Sequence, residues 1–282
     1  MNLVFSFDAN YSLTFKVLLH SIYKNNPEVQ FNIYFLHYAM ASEALEDLKQ
    51  AIEYYGYVFY PIDCQPYLEQ SEDVTINRYY TVEMYLWLFA PYFLPDGVER
   101  ALYLDPDIVN LNAIQPFYDT SFEGKLFVAM DYEVKTKWLQ PINNLRLGTR
   151  HAERYYNTGV VLMNIPQIKA KRRPEEITEA VVKNKAILIL PDQDVFNHLY
   201  HEHVKDGPWE LYNLDPRLYQ VGQFVMPDTF NRKWVEEKNV FIHYCGKHKP
   251  WQEREKYKMD LGVYYFKYER ELEKLKTESR VE

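Results

Sequence analysis

Tyr103-Leu104-Asp105-Pro106-Asp107-Ile108-Val109-Asn110 is the stretch on which the reading of this chain turns. An apolar run ends in two carboxylates two positions apart, and more β-branched residues follow. On a strand, positions i and i+2 project from one face, so Asp105 and Asp107 can aim at a common point. Pro106 cannot donate to a sheet ladder, which marks the strand as ending there. Two ionised carboxylates held that close repel each other unless a cation lies between them. A hard divalent ion carrying phosphates is the usual solution. Alone, the Asp-Pro-Asp pattern is more readily a solvated strand-end turn. Residues far away in the sequence change that balance.

Working outward, strand-like and helix-like segments alternate. Leu3 to Phe7 reads as a buried strand and Ser12 to Tyr23 as a helix with apolar residues at helical spacing. Phe31 to His37 is a strand, and Ser42 to Tyr55 a helix with acids in its first turns. Tyr57 to Tyr60 is again a strand, stopped by Pro61. Thr81 to Phe93 looks helical, and Arg100 to Leu104 leads into the Asp pair. This order predicts an α/β fold, a largely parallel sheet with helices on both faces. Further strands are expected at Leu126 to Met130, Gly159 to Met163 and Val240 to Tyr244. Helices are expected at Glu175 to Lys183 and at Gln193 to Tyr200, the latter with Asp192 as N-cap. The polar segment Glu133 to Arg154 reads as a mobile loop over a cleft. Tyr257 to Lys276 reads as a helix docked by Tyr and Phe on the main domain, with peripheral membrane contact as the other use of such a face. The expected division is therefore one domain over 1–255 and a C-terminal helical extension over 256–282.

The bulk composition is that of an ordinary soluble domain: 282 residues, 47% hydrophobic and 26% charged. The 26 Tyr and 16 Phe suit sugar or nucleobase contacts as well as an amphipathic core. A net charge of −8 disfavours nucleic acid as a partner. Cys64 and Cys245 have neither metal-site nor disulfide-framework spacing. The first eight residues lack the basic region of a signal peptide, and nowhere do eighteen apolar residues run together. The expected location is the cytoplasm.

In open α/β sheets, ligands lie beyond the carboxyl ends of strands. Asp8 closes the first predicted strand, Asp105 and Asp107 the fourth, and His243 another, so these groups are expected at one edge of one sheet. Taken with Ser-Phe-Asp-Ala-Asn-Tyr (6–11), Leu-Asp-Pro-Asp-Ile (104–108), Tyr-Tyr-Asn-Thr-Gly-Val-Val-Leu-Met-Asn (155–164), Asp-Gln-Asp (192–194) and His-Tyr-Cys-Gly-Lys-His-Lys-Pro-Trp (243–251), the chain resembles the family 8 glycosyltransferases. That family includes bacterial lipopolysaccharide galactosyltransferases and glycogenin. The resemblance covers residues 1 to about 255.

The resemblance implies a GT-A (Rossmann-like) fold and a UDP-hexose donor. It also implies Mn²⁺, with Mg²⁺ as the substitute, and transfer of the hexose to a glycan or glycolipid acceptor with retention. Ser6, Asp8, Asn10 and Tyr11 match the nucleoside-binding segment, Tyr11 stacking on uracil. Asp105, Asp107 and His243 match the metal ligands, with Asp105 also touching ribose. Asn157 and Gln193 match donor-sugar and reaction-centre positions, and Asp131 and Asp192 match carboxylates near the transferred sugar. Gly246 and Lys249 match the segment that closes on the diphosphate.

Each role has chemistry behind it. Two carboxylates, an imidazole and two phosphate oxygens fill most of an octahedral shell, and the nitrogen favours Mn²⁺ over Mg²⁺. Lys249 adds a point charge to the same phosphates. Gly246 lets backbone approach them. Asn157 and Gln193 suit sugar hydroxyls. Each block also has a plain structural reading: His243 as a strand-end histidine, Asp8 to Tyr11 as a helix-entry turn, Asp192 as a helix cap, Lys249-Pro250-Trp251 as a turn, Asp131 as a strand-end carboxylate.

One departure stands out. Family members commonly carry an Arg in the helix before the Asp-pair strand, and here Met84-Tyr85-Leu86-Trp87-Leu88 puts Trp87 in its place. A cation is replaced by a large ring, with Arg78 upstream as the candidate replacement. The rival reading is a non-catalytic nucleotide-sugar-binding protein with a degenerate site.

Overall fold

The computed structural model describes residues 1–70, 83–131, 133–149, 151–252 and 254–278. Nine strands are found among them: β1 Asn2–Phe5, β2 Asn32–His37, β3 Val58–Asp63, β4 Arg100–Leu104, β5 Ile108–Asn110, β6 Phe127–Asp131, β7 Tyr156–Asn164, β8 Val204–Asp206 and β9 Phe241–His243. The chain divides into two compact units. The first is Met1–Ala9, Gln30–Asp105 and Tyr118–Gly207; the second is Asn10–Val29, Pro106–Phe117 and Pro208–Glu282.

The first unit holds a seven-stranded sheet in the order β3-β2-β1-β4-β7-β6-β8. The run from β3 to β4 is parallel, β7 is antiparallel to both β4 and β6, and β8 returns parallel to β6. The expected α/β architecture is therefore present, with one reversed strand in its middle. Leu3, Val4, Phe5, Ala101, Leu102, Leu104 and Val160 to Met163 are buried, as strands covered on both faces require. Helix Glu83–Phe93 is buried along Tyr85 to Pro91, because its sequence is apolar all round.

Three local expectations are corrected. Pro61 does not stop its strand: β3 runs through to Asp63, with Pro61 opposite Phe35. As an edge strand it loses no ladder bond on its outer side. Glu133 to Arg154 is not a loop, since Glu133–Leu147 is helical. Its pattern is inverted: Gln140 is buried and donates to the Ala152 and Arg154 carbonyls, while Leu139, Ile142 and Leu145 are exposed. A helix held by polar contacts gives no apolar stripe to read. Helix Pro191–Tyr200 is capped by Leu190, not by Asp192. Pro191, with its preset φ, starts the helix earlier than expected.

The second unit centres on a two-stranded antiparallel sheet, β5 with β9, pairing Ile108 with His243. Helix Ser12–Asn25 packs against β5 and against the C-terminal helix Gly262–Glu278. Tyr264, Tyr265 and Tyr268 are buried there, and Asn25 donates to the Tyr268 hydroxyl at 2.7 Å. No helix among the described residues is long and apolar enough to cross a membrane.

Candidate active site

The Asp pair does not lie on a strand. β4 ends at Leu104, the Asp105 amide donates to the Gly159 carbonyl, and Pro106-Asp107 form a turn into β5. His243 closes β9, which belongs to the small sheet, so the single-sheet-edge expectation is also corrected. The convergence nevertheless holds: Asp105, Asp107 and His243 each offer a ligand atom, all within 4.8 Å of one another. The turn achieves what strand alternation was expected to do.

Asp107 and His243 are buried, and Asp107 Oδ1 lies 3.0 Å from His243 Nε2. On the ring's other side, Nδ1 lies 2.9 Å from the Asn213 amide oxygen. That oxygen can only accept, so Nδ1 carries a proton and Nε2 is the ring nitrogen turned to Asp107. Apart from that ring nitrogen, Asp107 Oδ1 is buried without a hydrogen-bond partner. A buried carboxylate oxygen facing an imidazole nitrogen, with a second carboxylate close by, fits a divalent cation. Burial opposes charge on His243, but Cys245 and Asp107 beside it push its pKa well above the ordinary imidazole value. Burial likewise works against ionised Asp107, but His243 and Lys249 hold its carboxyl well below the usual range.

Lys249 Nζ donates to Asp107 Oδ2 at 2.5 Å and to the Tyr244 carbonyl at 2.7 Å. Its ammonium lies 5.4 Å from the Trp251 ring centre, and Trp251 in turn meets Tyr11 edge-on at 6.5 Å. Asn10 and Tyr11 sit in a short 3₁₀ turn, Ala9–Tyr11, that precedes helix Ser12–Asn25. Gly246 has φ +89, and a Cβ there would lie 2.6 Å from Arg217 Nη1. Arg217 is fixed by the buried Asp215 through contacts of 2.5–3.0 Å. Gly246 thus serves backbone shape and a close approach within the protein itself.

In the first unit, the Asn157 amide donates to Gln193 Oε1 at 3.0 Å and accepts from the Gly159 amide at 2.9 Å. Asp192 Oδ2 accepts from the Trp87 indole N–H at 3.2 Å and from the Thr158 hydroxyl at 3.0 Å. Burial raises the Asp192 pKa against those two bonds. Asp105 Oδ1 accepts from the Tyr103 hydroxyl at 2.7 Å. Asp131 is buried, with Arg154 3.8 Å away and Arg154 itself 2.9 Å from Asp206. The Ser6 hydroxyl donates to the Glu83 carbonyl at 2.7 Å, which ties β1 to helix Glu83–Phe93. Asp8 is half-buried three residues beyond the end of β1. Arg78 lies outside the described residues.

Sequence reasoning missed Asn213, Thr158 and the anchor beneath Asp192. That anchor is Asp194, fully buried, which accepts from Arg146 at 2.6 and 2.7 Å, Tyr155 at 2.5 Å and the Ile189 amide at 2.6 Å. Asn213 carried no signal at all. Asp194 carried a partial one, as the third member of Asp-Gln-Asp.

A sequence profile described as glycosyl transferase family 8 matches residues 2–255. A lipopolysaccharide 1,2-glucosyltransferase of Escherichia coli is 26% identical over 263 residues, covering 89% of this chain and 73% of that protein. A lipopolysaccharide 1,3-galactosyltransferase of Salmonella typhimurium is 25% identical over 261 residues, covering 89% and 72%. In fold, the chain is similar to the galactosyltransferase LgtC, solved with donor and acceptor sugar analogues. The TM-score is 0.78 at 20% identity, over 96% of each chain. The profile match spans the Asp pair, the Asn157 strand, Asp192, Gln193 and His243, and on that ground the chain belongs to glycosyl transferase family 8.

Proposed function

We infer that this glycosyltransferase moves a hexose from a UDP donor to a hydroxyl of a glycan or cell-envelope acceptor, with retention at the anomeric carbon and with a divalent ion of the Mn²⁺ type. The observation that carries the reading is the convergence of Asp105, Asp107 and His243, the last two buried, with ligand atoms within 4.8 Å of one another. The lipopolysaccharide acceptors named for two relatives support an acceptor of that class.

Asp105, Asp107 and His243 would hold the ion, with Asn213 setting the imidazole tautomer. Bound there, the ion would supply Lewis-acid stabilisation of charge on the departing UDP. Lys249 adds a cation on the same phosphates by exchanging Asp107 for them. Tyr11 receives the uracil ring beside Trp251, and Ser6, Asp8 and Asn10 complete the nucleoside segment. Asn157, Gln193 and Asp192 bind and orient sugar hydroxyls, while Asp131 stays paired towards Arg154 as a more remote carboxylate. Closure of the Cys245–Trp251 segment excludes water that would hydrolyse the donor. The acceptor hydroxyl attacks the anomeric carbon from the leaving-group face. The carbon–oxygen bond to UDP breaks, and the UDP oxygen takes the acceptor's proton. The expected location is the cytoplasm, where the two free cysteines stay reduced.

The test is UDP release from UDP-glucose and UDP-galactose with Mn²⁺, compared with EDTA, followed by the anomeric configuration of the product. Metal-dependent release with retention supports the reading. Tight UDP binding without release from either donor sinks it in favour of a binding protein, and a trapped covalent glycosyl-enzyme sinks the front-face attack.

A further inference from the structure

Two carboxylates of the first unit, Asp105 and Asp192, are held by one aromatic pair. Trp87 and Tyr103 lie nearly parallel, ring centres 4.8 Å apart and planes 18° from each other, and are 1% and 3% exposed. The indole N–H donates to Asp192 Oδ2, and the phenol donates to Asp105 Oδ1. Phe196, on the same helix as Asp192, packs on the indole at 5.6 Å. Buried rings with few rotatable bonds hold a polar tip more closely than a long flexible side chain does.

We propose that Trp87 and Tyr103 act as one stacked positioning pair that fixes Asp192 for the donor sugar and Asp105 for the metal and nucleotide in a single mutual register. This rests on the roles given to those carboxylates under Proposed function. Trp87 is also the point at which this chain departs from the arginine expected there. An arginine would pair with both carboxylate oxygens and neutralise the group. An indole gives one uncharged bond to one oxygen, and the negative charge of Asp192 is left for sugar hydroxyls. Burial pushing the Asp192 pKa up is what an uncharged donor leaves in place. A half-buried carboxylate used in this way discriminates sharply among hydroxyl patterns.

The pair makes a test that packing alone would not meet. Trp87→Phe keeps a ring and removes the N–H, so affinity for an intact UDP-hexose should fall about tenfold, the effect of one charge-assisted hydrogen bond, while UDP affinity changes less than about twofold. Tyr103→Phe should weaken UDP binding in the presence of Mn²⁺ by a similar factor. In an Asp192→Ala background, Trp87→Phe should cost less than about twofold, because the carboxylate through which it acts is gone. An equal tenfold loss in both backgrounds makes Trp87 a packing residue and overturns the proposal. So does a Trp87→Phe protein that binds the donor like the parent. If Trp87→Phe does not fold, the parent protein answers. Its ¹⁵N-indole signals, assigned by replacing the other four tryptophans, should show Trp87 shifting with UDP-hexose and Mg²⁺ beyond its shift with UDP. A Trp87 signal equally placed by both ligands overturns the proposal. A parent protein that binds no UDP sinks the functional reading instead, which separates the two failures.

Discussion

His243 donates its Nδ1–H to the amide oxygen of Asn213 across 2.9 Å, and that bond decides which ring nitrogen is left for a cation. Residues that orient a ligating imidazole typically matter about 10–100-fold in metal affinity. Asn213→Ala should therefore weaken Mn²⁺ binding by that order, read by calorimetry in the presence of UDP. Asn213→Asp keeps an acceptor at the same place and should lose less. Equal affinity in Asn213→Ala and parent would contradict the assignment.

The metal trio itself is checked without turnover. A ligand that binds only the folded state raises stability with its free concentration. Mn²⁺ at a hundred times its dissociation constant should add about 2.7 kcal/mol, a melting rise of several degrees. Asp107→Asn and His243→Ala should abolish that rise together with EDTA-sensitive UDP release. A rise that persists in both variants places the ion elsewhere.

Asp192 offers a pH test. Burial raises its pKa on folding despite bonds from Thr158 and Trp87, so folding favours the protonated form. A raised pKa contributes stability that is fully present below the ordinary carboxylate range and lost as pH rises through the folded value. Asp192→Asn, which stays neutral and can still accept both hydrogen bonds, should melt a few degrees higher than the parent at pH 7–8. The gain should vanish near pH 4, and donor turnover should be poorer throughout. A pH-independent difference would remove burial as the cause.

Gly246 is constrained twice, by φ +89 and by Arg217 Nη1 at 2.6 Å from where a Cβ would stand. The guanidinium cannot give way freely, because it is clamped on buried Asp215. Left-handed backbone costs an L-residue about 1–2 kcal/mol. Gly246→Ala should lower the melting temperature by several degrees and weaken UDP binding through the adjoining Lys249. An unchanged melting curve would show that the turn relaxes without cost.

Much of this was legible because it repeats along the chain. Apolar runs ended by Asp8 and Asp105 gave the parallel core, and the blocks around Asn157, Asp192 and His243 gave the family. What escaped lies where local pattern and tertiary role disagree. Helix Glu133–Leu147 buries Gln140 and exposes Leu145, the reverse of the usual rule, so it read as a loop. The three-residue strands β5 and β8 are too short for any alternation to show. His243 was placed on the main sheet because its strand looks like the others; only the turn at Pro106-Asp107 reveals a second, smaller one. Trp87 looked like a lost cation, yet its N–H reaches Asp192, a contact between residues 105 positions apart that no local pattern encodes.

Pro61 has a consequence beyond the boundary of its strand. β3 is the outermost strand of the seven and is partnered by β2, and Pro61 is exposed on it. A rim of free amides invites another polypeptide to add itself as an eighth strand, the first step of edge-to-edge aggregation. Pro61 deletes a donor partway along that rim, which leaves an incoming chain with a gap where a rung should form. The residue that reads in sequence like a simple stop thus works against strand addition at this edge.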